Sequence, residues 1–91
     1  MNIYRYQFRA RCPNNGELIY YRLELTTDQV VMVEAIKAAC RRHTAGFHEA
    51  IADALFAELG GCQVIIAMHH MVEIETRRSP SKSTEPMRKA A

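Results

Sequence analysis

The chain lacks any apolar run near the roughly 18 residues needed to span a membrane. Its N-terminus lacks the basic-then-apolar order of a secretory signal, so a cytoplasmic location is expected. It has no paired CxxC and only three cysteines, Cys12, Cys40 and Cys62. That is a poor disulfide framework, and buried free thiols are the expectation. There is no Gly-x-Ser-x-Gly, no HExxH and no glycine-rich loop leading into a helix, so the common hydrolase, zinc-protease and phosphate-binding signatures are missing. No internal repeat or low-complexity array is visible.

Positive charge is missing from one stretch. Residues 43–76 carry five acids (Glu49, Asp53, Glu58, Glu73, Glu75) and no Lys or Arg. Residues 1–42 carry seven bases against four acids, and residues 77–91 five bases against one acid. A net charge of +2 therefore hides an acidic centre between basic ends, a polarity that suits steering of a partner or self-association of unlike faces.

With 91 residues and 48% hydrophobic content, the chain is sized for one small domain with its own core. The reading is a single domain over 1–76 and a disordered basic tail over 77–91, which is rich in Pro, Ser, Lys, Glu and Arg.

Alternation is clean over Asn2–Arg11, with Tyr4, Tyr6, Phe8 and Ala10 on one face and Arg5, Arg9 and Arg11 on the other. Cys12-Pro13-Asn14-Asn15-Gly16 reads as a turn, with Asn-Gly supplying positive φ angles for a tight hairpin. A second strand over about Glu17–Thr26 places Ile19, Tyr21, Leu23 and Leu25 inward, and Leu18, Tyr20, Arg22 and Glu24 outward. Helical spacing then runs from Asp28 to Arg42 or His43 through Val30, Val33, Ile36 and Ala39 or Cys40. The apolar stripe continues through Phe47, Ile51 and Leu55 to Leu59. One helix of that extent would reach about 48 Å at 1.5 Å per residue, more than a small sheet can cover. Two helices broken near Thr44–Gly46 are preferred. Gly60-Gly61 ends the helical region.

Residues Cys62–Arg77 read as one long strand. The face of Cys62, Val64, Ile66, Met68, His70, Val72 and Ile74 is expected to turn to the core. The other carries Gln63, Ile65, Ala67, His69, Met71, Glu73 and Glu75. The expected architecture is α+β, a two-layer sandwich: an N-terminal β-hairpin, a helix or helical pair, then a long C-terminal strand in the same antiparallel sheet.

Alternation splits Met68-His69-His70-Met71 between two faces, which argues against one metal site there, and His43 and His48 diverge on a helix. No metal, cofactor or catalytic residue is assigned. Three functional readings follow. The leading one is a small non-enzymatic protein-binding module, a homodimeric regulator or inhibitor of bacterial, phage or mobile-element type. Its interface would comprise Leu18, Tyr20, Ile65, His69, Met71, Glu73 and Glu75, an apolar and acidic outer surface. The second is a nucleic-acid binder using Arg5, Arg9, Arg11, Tyr20 and Arg22 with the basic tail. The third is a metal- or thiol-dependent enzyme centred on His69, His70 and Cys40, whose thiol the neighbouring Arg41 and Arg42 would acidify.

Overall fold

The computed structural model describes residues 1–80. Elements follow in the order β1 (Asn2–Arg11), β2 (Leu18–Thr27), α1 (Val33–Arg41), α2 (His48–Leu59), β3 (Cys62–His69) and β4 (Val72–Arg78). The four strands form one sheet in sequence order, each antiparallel to its neighbour. The helices supply the second layer, α1 packing on β1 and α2 on β3 and β4. The expected α+β sandwich is the observed one, and the helical region is two helices.

The first hairpin keeps the expected faces. Phe8, Ala10, Ile19, Tyr21, Leu23 and Leu25 are buried, whereas Arg5, Arg9, Arg11, Tyr20 and Arg22 are exposed. Its connection is wider than a two-residue turn. The Cys12 amide donates to the Glu17 carbonyl at 2.8 Å, and the Glu17 amide donates to Asn15 Oδ1 at 2.9 Å. Gly16 alone in this loop takes a positive φ, at 73°.

Helix α1 starts at Val33, later than the spacing predicts. The preceding amides are engaged elsewhere: Gln29 donates to Thr27 Oγ1 and Val31 to the Tyr4 hydroxyl, each at 3.1 Å. Val30 and Val33 consequently lie in solvent, and α1 buries only Ile36, Ala39 and Cys40. Between the helices, Thr44 and Gly46 bond Arg11 through backbone groups, so the break occupies the end of the β1 edge.

The largest departure is at the C-terminal strand. It is two strands joined at His70-Met71, whose φ angles are 51° and 69°. Positive φ at both centre positions is the requirement of a type I′ hairpin turn, usually met by Asn-Gly. The sequence offers no such dipeptide, so the alternation reads straight through. The facing of β3 is also reversed. Gln63, Ile65 and Ala67 are buried; Val64 and Ile66 are half-exposed and Met68 and Cys62 exposed on the opposite side. Both sides of this strand are apolar, and Gln63 is the polar residue expected on the outer one. In fact Gln63 turns inward because it has partners there: its Nε2 donates to the carbonyls of Leu55 (3.0 Å) and Gly60 (2.7 Å), closing the C-terminus of α2.

Arg77 and Arg78, assigned to a disordered tail, belong to β4. Arg78 reaches α2, its Nη2 2.6 Å from Glu49 and its Nε 2.9 Å from Asp53. The rest of that tail from residue 81 lies outside the described residues.

Candidate functional site

Three regions of the surface carry chemistry. The first is the sheet face that the helices leave uncovered. Register puts Arg5, Glu24, Val64 and Arg77 in one row, and Gln7, Arg22, Ile66 and Glu75 in the next. Tyr20, Arg22, Ile66, Met68 and Glu73 line a shallow groove beside the second row. Tyr20 and Met68 are more than half exposed. The face is mixed: bases on β1 (Arg5, Arg9, Arg11), Tyr20 beside Arg22 and Glu24 on β2, apolar Val64, Ile66 and Met68 on β3, and Glu73, Glu75 and Arg77 on β4. Arg5 donates to Glu24 at 2.8 Å, and this hydrogen bond holds the Glu24 carboxyl below its ordinary range.

The predicted interface set is therefore divided. Leu18, Tyr20, Glu73 and Glu75 do share the open face. Ile65 does not; it is 1% exposed in the core. His69 is on the helix-facing side, opposite Val72, and Met71 stands in the turn at 92% exposure. Every member of the predicted nucleic-acid set, Arg5, Arg9, Arg11, Tyr20 and Arg22, lies on the open face. Cys40 is a buried free thiol, as expected, and the acidified thiol of the third reading is not found. Burial pushes its pKa up to about 11, so the thiol is protonated and inert.

The second region is a cavity of about 250 Å³ between the start of α2 and the inner sheet face. Cys12, Ile19, Tyr21, Phe47, His48 and His69 are among its lining residues. The local sequence makes the opening. Phe47 caps α2 without any side-chain hydrogen bond, and Ala67 leaves space beneath the helix where a larger residue would fill it. Phe8 stacks on Tyr21 (centroids 5.2 Å), and Tyr21 in turn meets His48 (5.4 Å, tilted).

Both ring nitrogens of His48 and Nε2 of His69 are shut off from solvent without a geometrically complete hydrogen bond. Burial lowers the His48 pKa, an effect the nearby Ile65 backbone and Glu49 only partly oppose. His48 is thus a neutral imidazole near pH 7, with one ring nitrogen a donor and the other an acceptor, and the residue lines the cavity. Burial likewise raises the Tyr21 pKa, keeping its hydroxyl protonated. Spacing along the chain gives no sign that His48, Tyr21 and Cys12 meet, because they are far apart in sequence.

The third region joins the two hairpin ends. His70 Nε2 lies 3.2 Å from Glu17 Oε1 and 3.3 Å from Asn15 Nδ2. The His69 and His70 rings lean together with centroids 4.4 Å apart. His69 thus touches both the cavity and the hairpin ends.

No protein-family model matches the sequence, and no curated protein matches it. Among solved structures, the chain is similar to the archaeosine synthase QueF-Like in its apo form, with a TM-score of 0.64 at 16% identity. The match spans 85% of this chain and 89% of that one. At that identity the likeness establishes a shared fold, one that in the other protein houses a synthase.

Proposed function

We propose that the chain binds a small, flat, polar ligand in the cavity beneath the start of α2. The observation that carries this reading is the meeting of His48, His69 and Tyr21 at one cavity, with three imidazole nitrogens shut off from solvent and lacking a geometrically complete hydrogen bond. Buried polar atoms without partners cost stability, and such a cost is retained where a ligand supplies the missing bonds. Aromatic walls (Tyr21, Phe47) favour a planar ring, and neutral His48 and Tyr21 favour an uncharged hydrogen-bonding edge. The volume falls just below the usual range for pockets of drug-sized ligands, which points to a compact molecule. The fold's use by a synthase supports a small-molecule site.

The test is ligand-observed NMR with a panel of small heteroaromatic compounds, comparing wild type with His48→Phe and Phe47→Ala. Binders weakened by both substitutions are the expected result. A panel with no binders at millimolar concentration, or binders indifferent to both changes, defeats the reading.

A second reading rests on a separate observation, the open sheet face with exposed Tyr20 and Met68. It is an association surface for a second copy of the chain or another protein, in keeping with the dimeric regulator expected from the sequence. Light scattering after size exclusion tests it, with Met68→Lys expected to disperse an assembly of wild-type chains. Retardation of mixed-sequence RNA or DNA at low salt would favour the arginine-lined face as a nucleic-acid surface instead.

A further inference from the structure

We propose that Glu17, His69 and His70 form a three-ligand site for a divalent transition ion of the zinc class at the lip of the cavity. Each of the three offers one ligand atom, and these atoms lie within 4.8 Å of one another. Two are already spaced as ligands would be. Glu17 Oε1 and His70 Nε2 are 3.2 Å apart. Two donors bound tetrahedrally at about 2.0–2.1 Å are separated by about 3.3–3.4 Å. His69 closes the set from the neighbouring position, its ring leaning on that of His70. Its Nε2 has no hydrogen-bond partner, so the ring is not committed elsewhere.

The donor set, two imidazoles and one carboxylate, matches a borderline dication better than calcium or magnesium, which prefer all-oxygen shells. Three protein ligands leave the fourth position open. That is the arrangement of zinc sites that hold a water or substrate. The Asn15 amide, 3.3 Å from His70 Nε2, would stand beside a bound ion as a hydrogen-bond donor to its open-position ligand. The site is invisible in the sequence because Glu17 ends one hairpin loop and the two histidines lie at the other. Only the pairing of β2 with β3 brings them together. The turn contributes too: with His70 in the left-handed region, consecutive histidines escape the opposite facing of a straight strand. The inference does not depend on the cavity taking an organic ligand.

The experiment is calorimetric titration of the full chain with Zn²⁺, accompanied by Co²⁺ absorption spectra. One equivalent of Zn²⁺ is expected, with Co²⁺ bands of low coordination number. Glu17→Gln and His70→Ala alter exposed side chains and should leave folding intact. Each should weaken Zn²⁺ at least about tenfold, the loss seen even for groups that only support a ligand. His43→Ala, on the α1–α2 connection, should change nothing. Absence of binding at about 100 µM Zn²⁺, or binding that both Glu17→Gln and His70→Ala leave intact, overturns the proposal.

Discussion

Gln63 is a polar residue at 1% exposure in a sheet interior, and its replacement makes a quantitative test. Gln63→Leu keeps the volume roughly constant and deletes two hydrogen bonds, to the Leu55 and Gly60 carbonyls. Each such bond is worth about 1 kcal/mol net, and a buried group left without its partner costs about 1–3 kcal/mol. Against this, Gln63 Oε1 is itself buried without a partner, so its removal returns about 1 kcal/mol. The expected net loss is about 2–3 kcal/mol. For a domain of this size that lowers Tm by about 8–24 °C, at about 4–8 °C per kcal/mol. Thermal and urea unfolding followed by circular dichroism reads the effect directly. Gln63→Glu supplies the sign: a buried carboxylate facing two carbonyls should destabilise more than Leu at pH 7. It should recover part of the loss at pH 5, where protonation restores a donor. A Leu variant melting at or above the wild-type temperature would show that this side chain does not secure the end of α2.

Three further expectations follow from other parts of the molecule. At Gly61 (φ 67°), a Cβ would lie 2.8 Å from Leu25 Cδ1 and 3.0 Å from the Thr26 carbonyl, so Gly61→Ala should cost more than about 1 kcal/mol in urea unfolding. Met71→Gly relieves a left-handed residue that costs about 1–2 kcal/mol, less about 0.5–1 kcal/mol of added chain entropy. It should raise Tm by a few degrees, and a lower Tm would refute the turn geometry. Because burial depresses the His48 pKa below its ordinary 6.5, the unfolded chain binds the extra proton first. This contribution to stability is complete above about pH 6.5 and is lost as pH falls toward the folded value. The urea midpoint should drop between pH 7.5 and 5.5, and His48→Gln should flatten that drop.

The first hairpin was legible because its inner face is uniformly apolar and its outer face carries arginines, so alternation has one solution. The helical break was legible from length alone. Strand β3 was not, since Val64 and Ile66 compete with Ile65 and Ala67 for the core. The choice rests on Gln63, whose polarity misleads until the end of α2 is in place beside it. The turn at His70-Met71 escaped because neither residue is a usual carrier of positive φ. Those two misreadings hid the site. They put His69 on the open face, away from His48, and denied His70 any approach to Glu17. Contacts between residues distant in sequence, such as Tyr21 with His48, leave no periodic trace for a single sequence to display.

The sheet order implies a route of assembly. Each hairpin, β1–β2 and β3–β4, closes locally and can form on a timescale of about 1–10 µs. The pairing of β2 with β3, in which Thr26 meets Cys62 and Tyr21 meets Ala67, is the one strand contact spanning the whole helical segment. That loop is the longest closed by any strand pairing among the described residues, so this seam should limit the folding rate. The Glu17–His70 contact bridges the two hairpins across the same seam. An ion held there would act as a staple on the last-formed junction, slowing unfolding more than it speeds folding.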